Sequence, residues 1–369
     1  MSFNISTYPF FDNPWDFFIN CENVKRGSPK SSQAFCNTAT LNGILCAYFL
    51  IPIVLFNVVC NVINAVIFLH GYQHKTRQIV YLGVLALIDL CACLVEATLR
   101  LFPARGIPYA TNGAIFFSIS TTSRIGCKLY RSILSFIIIL KGNILVATML
   151  DRLLAIQFPL KFGKLTPRHA WYFVIINFGA AILMTIPIVI LSDWTVFYKR
   201  IVCYERPSNL FQSLYYGLFS GECFIQTAIN GILNGALLVK IYVWLRHRRK
   251  ITTTSTQPTT MSCELSACIV LLIISGTTFL LSVPGALVIF FGVTERFDYD
   301  DIQPIIRLRI SLILRDIFLI FIYMQPMFNT IIYIWRMEHF RLLFVCIIQG
   351  KPLHTVNRPC RNSSYVTHH

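Results

Sequence analysis

Charge is what this chain has least of. Only 13% of its 369 residues are Asp, Glu, Lys or Arg, and acids are the scarcer sign, 16 against 32 bases. With 55% hydrophobic residues and a mean hydropathy of +0.62, a soluble globular domain is excluded. No internal repeat is visible, and the chain offers no nucleophile triad, metal-ligand cluster or phosphate-binding loop, so no enzyme, cofactor or metal is expected. The first forty residues hold Asp12, Pro14, Trp15 and Asp16 and lack a compact apolar core, which argues against a cleavable signal peptide. The net charge of +16 would point a soluble protein toward nucleic acid. Here its distribution matters more than its total, and no nucleic-acid partner is expected.

What the chain does have is long apolar runs. A helix crosses the hydrocarbon of a bilayer with about 20 mostly apolar residues. Runs that meet this extend roughly from Ile44 to Leu69, Ile79 to Phe102, Cys127 to Ile156, Trp171 to Ser192, Leu218 to Leu245, Leu265 to Gly292 and Ser311 to Trp335. The expected fold is therefore an all-α membrane protein, a seven-transmembrane helix bundle over 44–335. An amino-terminal tail over 1–43 precedes it, and a tail over 349–369 follows a short amphipathic stretch at 336–348. In that stretch Phe340, Leu343 and Phe344 recur at helical spacing with Arg341 opposite, which reads as a helix lying along the membrane lipid. Cys346 within it is either a lipid-modified or a buried thiol.

An odd number of spans puts the termini on opposite sides. Lys75 and Arg77, then Lys161, Lys164 and Arg168, then the run Arg246 to Lys250 follow the first, third and fifth spans with almost no acids. By the positive-inside rule these loops are cytoplasmic, so the amino terminus is expected outside the plasma membrane. Lys199, Arg200 and Arg206 on the opposite side blur that bias. Asn4, in "NIS", then has the form and the side of a glycosylation acceptor.

Thirteen cysteines divide by compartment. Cys46, Cys60, Cys91, Cys93 and Cys268 fall inside spans, where a thiol is a small apolar group. Cys127, at the outer end of the third span, and Cys203, in the outer loop after the fourth, face an oxidising side where a disulfide persists. Such a bridge would tie that loop over the mouth of the bundle. Cys21 and Cys36 in the outer tail either form a second bridge or stay unpaired with each other.

Charges within spans need a partner or a function, because each costs about 2.5–3.5 kcal/mol at the bilayer centre. Asp89 and Lys141 both lie about 15 Å from the inner surface by helical rise. They are expected to form a buried ion pair; the alternative is a Lys141 that snorkels or points into a wet cavity. Asp151 and Arg152 close the third span in "MLDRLLAIQFPLKF". Arg152 can pair with Asp151 or with Glu264, which opens the sixth span after the polar linker "ITTTSTQPTTMSC". A bridge from Arg152 to Glu264 would hold the inner ends of those helices together; the bland reading leaves each charge solvated. Pro284, in the middle of the sixth span, should kink it, and Asn329 and Tyr333 mark the inner third of the seventh.

These residues carry a resemblance. "CNVINAV" with Asn61, "LALID" with Asp89, Cys127 followed by Asp151 and Arg152, Pro284 and "NTIIY" come in the order of the rhodopsin-like G-protein-coupled receptors. The likeness covers about residues 40–348, and Asn61 to Asp89 and Cys127 to Arg152 match without gaps. The resemblance implies that Glu264 stands where many members place the acid that locks the arginine. It also implies that Tyr242 and Tyr333 are the tyrosines that rearrange on activation. The implied partners are an extracellular ligand and a heterotrimeric G protein. Departures are specific: Leu153 follows the arginine, a tryptophan is missing near Phe178, Asn234 stands near the place of a fifth-span proline, "SVP" lacks a tryptophan, and Thr330 replaces the proline after Asn329. Lys141 occupies a position usually small and polar that helps the aspartate hold sodium, so its ammonium is expected to substitute for that ion.

The last span lacks lysine, which disfavours a retinal Schiff base. Leu134 stands where receptors for amines carry an aspartate. The expected cleft wall includes Glu96, Arg100, Arg131, Leu134, Glu222, Arg315 and Asp316, although Glu96 and Arg100, four apart, can simply pair. An acidic loop, "ERFDYDD", could steer a basic peptide or merely balance nearby arginines. A peptide of the amidated neuropeptide kind is the expected ligand, with a small chemosensory molecule as the alternative. A seven-helix transporter or channel using Asp89 and Lys141 as an ion path is the competing class, although the interrupted repeats of many transporters are not apparent.

Overall fold

The computed structural model describes residues 13–28, 31–73, 75–162, 165–197, 200–205, 224–251, 260–294 and 303–352. Six of its helices are long and apolar enough to cross a membrane: Gln33–Gly71, Arg77–Ala110, Arg124–Gln157, Pro167–Leu191, Ile269–Val288 within a longer helix, and Ile306–Arg336. The helix Phe224–Ile251 stands where the fifth span is expected. Numbered in chain order, these are the first to seventh helices. The chain is a multi-pass bundle of the expected all-α class.

Most of the helices run past their apolar stretches. The first begins at Gln33, eleven residues before the apolar run, because Ser32 caps it: its hydroxyl accepts from the Phe35 amide at 3.2 Å. Thr76 and Ser123 start the second and third helices in the same way, accepting from Ile79 and Gly126. The fourth ends at Leu191, and Ser192 already belongs to a hairpin of β1 (Ser192–Phe197) and β2 (Arg200–Glu205), antiparallel with Trp194 opposite Cys203. That hairpin and a tail helix, Trp15–Lys25, lie at one end, called here the mouth. A short helix, Glu338–Ile348, lies at the other end, the base, with Phe340 and Leu343 buried against Phe68.

Lipid gives no hydrophobic drive for helices to associate, so close fit and polar contacts must hold the bundle. The first and second helices approach so closely near the mouth that a Cβ on Gly106 would lie 2.6 Å from the Cys46 carbonyl oxygen. Cores of Val80, Tyr81, Ile137, Ile139 and Ile188 join the second, third and fourth helices. The second helix is the most enclosed, 61% of its apolar window buried, and the fourth the least, 17%. The fourth helix faces lipid, and the second carries the polar groups.

The second helix also changes its winding. From Cys93 to Gly106 it is a π-helix, with Pro103 inside it. Bonding from i to i+5 gives about four and a half residues per turn, so Glu96, Arg100 and Arg105 fall on one face. In an α-helix, nine residues make roughly two and a half turns, and Arg105 would face away from Glu96.

Candidate functional site

At the mouth, the π-helical face meets the seventh helix. Arg100 bonds Glu96 at 3.2 Å and Asp316 at 2.9 Å, and Arg105 reaches the other Asp316 oxygen at 3.5 Å. Arg315 stands 3.8 Å from Glu96, whose second oxygen accepts from the Tyr323 hydroxyl at 2.8 Å. Glu96 and Asp316 are buried, and each carboxylate is held by more than one donor. The structure thus brings together Glu96, Arg100, Arg315 and Asp316 of the expected cleft wall. Leu134 is buried but lines no part of the main cleft, and Arg131 is half-buried. Glu222 and the acidic loop lie outside the described residues.

The mouth is covered. Cys127 and Cys203 form a disulfide that ties the hairpin to the third helix, and Trp194 adds a bond to the Ser120 carbonyl at 3.0 Å. Cys21 and Cys36 join the tail helix to the first helix. Asp16 pairs with Arg309 at 2.6 Å, and the Trp15 indole donates to the Gly113 carbonyl at 3.2 Å. The tail is therefore docked across the second and seventh helices.

Beneath this cover runs a cleft of about 970 Å³, partly open to solvent, with Glu96 and Arg315 in its wall and Asp89 and Lys141 deeper down. Hydrogen-bonding side chains also line it: Asn57, Gln226, Thr227, Asn230, Thr278 and Ser282. The Lys141 ammonium lies 2.6 Å from Asp89, with 21% and 12% of their side chains exposed. Both residues also line a second, smaller cavity on the base side, with Asn61, Asn64, Gln325, Asn329 and Tyr333. Lys141 and Asp89 therefore form the floor of one cavity and the wall of the other. Among the described residues no group of three or more His, Cys, Asp or Glu comes together as a metal site.

At the base, one carboxylate holds two arginines. Asp151 accepts from Arg77 at 2.5 Å and from Arg152 at 2.8 Å. Arg77 also donates to the Phe162 carbonyl at 2.8 Å, fixing the loop after the third helix. All three side chains are close to buried, 7% for Arg77, 6% for Asp151 and 12% for Arg152. Glu264 falls on the sixth helix, but its side chain lies outside the described residues. Tyr333 is buried against Phe68 and Phe340, with ring centroids 4.9 and 5.2 Å away. Tyr242 is exposed on the fifth helix, so the structure does not bring the two tyrosines together. Pro284 lies inside the continuous helix Thr260–Thr294.

The 7 transmembrane receptor (rhodopsin family) model matches residues 60–333 of this chain. The chain belongs to the rhodopsin family of seven-transmembrane receptors. Its members are signalling receptors rather than enzymes, and the class of this protein follows from that match. No curated protein matches it significantly.

Two parts of this receptor escape a reading of residues alone. Arg77 is 74 positions from Asp151 and looks like one more basic loop residue, with nothing in its spacing to betray the pairing. Arg105 is hidden by the change of helical winding. Asn57 had a signal: it lies four before Asn61, on the same helical face, and accepts from the Asn61 amide at 2.8 Å.

Proposed function

We propose that this receptor binds an extracellular ligand in the cleft beneath its mouth and activates a heterotrimeric G protein from its base. In this reading the amino terminus is outside the plasma membrane, Asn4 is available for glycosylation, and the basic loops at the base face the G protein. The supporting observation is the division of labour along the axis: a covered cleft lies toward one end, and a buried Arg77–Asp151–Arg152 clamp lies at the other. A ligand moves such a two-state bundle only by its difference in affinity for the two states. The state it favours is one in which Arg152 leaves Asp151 and Glu264, and Tyr242, Pro284, Asn329 and Tyr333 rearrange.

For the ligand class we propose a peptide. The cleft is partly open to solvent and is lined by amides and hydroxyls. Its amide and hydroxyl lining pairs with peptide groups, which both donate and accept. The charged residues of the wall, Glu96 and Arg315, would meet the peptide's polar side chains.

The test is basal nucleotide exchange on a panel of G proteins, with wild type, Glu264→Ala and Arg152→Ala at matched surface expression. The proposal expects a rise with the first change and a loss with the second. No effect of either on any G protein, with substrate flux in vesicles free of G protein, would replace it with the transporter reading.

A further inference from the structure

Thr330 stands where the family resemblance places a proline after Asn329, yet the seventh helix is still broken, one turn earlier. It runs Gln303–Tyr323, turns at Met324 and restarts as Gln325–Arg336. Pro326 has no amide hydrogen for the Ile322 carbonyl. The Met327 amide bonds the Met324 carbonyl at 3.1 Å, three residues back, so the Tyr323 carbonyl loses its helical donor. An orphaned carbonyl at the depth of the bilayer must find another partner. It finds Asn57: the Nδ2 of this first-helix residue, 1% exposed, donates to the Tyr323 carbonyl at 2.7 Å.

The same Tyr323 donates its hydroxyl to Glu96 at 2.8 Å. One residue thus touches the mouth network with its side chain and the helix break with its backbone. Just below the break, Thr330 bonds the Pro326 carbonyl at 2.8 Å, and Asn64 donates to the Thr330 hydroxyl at 3.0 Å. The lower half of the seventh helix is therefore held to the first helix on its own, and it ends on Tyr333 in the aromatic cluster at the base.

We infer that Asn57 caps a hinge in the seventh helix at Met324, and that Tyr323 couples this hinge to Glu96, making Asn57 and Tyr323 the positioning residues through which the mouth acts on the base. The coupling to signalling rests on the receptor reading above; the hinge itself does not. A ligand that draws Glu96 or Arg315 toward itself shifts the Tyr323 ring, and with it the carbonyl that Asn57 holds.

The experiment is hydrogen exchange of peptides covering residues 324–328 in the purified full-length receptor in nanodiscs. Asn57→Leu is made in wild type and in a Pro326→Ala background. Pro326→Ala restores an amide hydrogen and lets the ladder close, so that Met327 serves the Tyr323 carbonyl. Loss of one net hydrogen bond speeds opening about fivefold. We expect that acceleration from Asn57→Leu in wild type and little of it beside Pro326→Ala. If Asn57→Leu does not reach the membrane, Asn57→Thr, which keeps a hydroxyl donor, should retain slow exchange; acceleration equal to that of Asn57→Ala would overturn the cap. An equal effect of Asn57→Leu in both backgrounds would overturn it too. Glu96→Gln should speed exchange at the hinge in wild type but not beside Tyr323→Phe, and an unchanged effect there removes the coupling. If the exchange results hold while no variant alters nucleotide turnover on any G protein, the hinge stands and the receptor reading fails.

Discussion

The two ends of the bundle solve the same electrostatic problem in opposite ways. At the mouth, Glu96 and Asp316 share Arg100, and Arg105, Arg315 and Tyr323 add further donors. At the base, a single acid, Asp151, holds Arg77 and Arg152. At the mouth each carboxylate keeps another donor when one is lost: Glu96 has Arg100, Arg315 and Tyr323, and Asp316 has Arg100 and Arg105. Among the described side chains, Asp151 is the acid that holds both arginines at the base, and the proposed switch rests on that shared contact. Redundancy is what the proposed ligand-binding end requires, and a shared carboxylate is what the proposed switch at the base requires.

The comparison is broken most severely at Asp151. Asp151→Asn leaves two nearly buried guanidinium groups without their carboxylate, and removing one partner of a buried pair costs about 3–5 kcal/mol. Thermal unfolding of the purified receptor should show the largest drop of any single change proposed here. Next comes the midpoint of the bundle: Asp89→Asn or Lys141→Met should cost about 2 kcal/mol, less than the base because Lys141 keeps a fifth of its side chain exposed. The double variant should recover most of that loss. Wild-type stability should not respond to replacing sodium by choline, whereas Lys141→Ser, which vacates the position, should become sodium-dependent. At the mouth, Asp316→Asn should cost only about 1 kcal/mol, since Arg100 retains Glu96.

Much of this was legible in the residues. The apolar runs mark the helices to within a few residues at most of their inner ends, because hydrocarbon thickness sets their length. The polar extensions, such as the eleven residues before Ile44, lie beyond the lipid and obey caps instead. Asp89 and Lys141 announce themselves by their cost, and they lie 2.6 Å apart. Arg105 and the Asp316 contact were not legible, since a period of about 3.6 places Arg105 on the wrong face and the π-helical winding is not written in composition. Nor was Arg77, whose partner is chosen by packing of the second helix on the third. Tyr242, singled out by likeness, is exposed on the fifth helix, whereas Tyr333 is buried.

The smallest effect sharpens the description of the base. His339 packs edge-on against Tyr72, with ring centroids 4.7 Å apart, and burial holds its pKa below the ordinary histidine value of 6.5. The neutral ring is the form the fold favours, so its stabilising contribution is complete above pH 6.5 and declines as pH falls toward the folded-state pKa. Unfolding temperatures measured across that range should fall slightly on acidification in wild type, and this component should vanish in His339→Phe.

The central claim is that the Asp151 clamp at the base, and not the redundant network at the mouth, holds the receptor silent. The most direct measurement compares ligand-free nucleotide exchange on the G-protein panel for Asp151→Asn and Asp316→Asn, at equal surface expression. A marked rise for Asp151→Asn with little change for Asp316→Asn is the predicted result. Equal rises, or a rise only for Asp316→Asn, would contradict it.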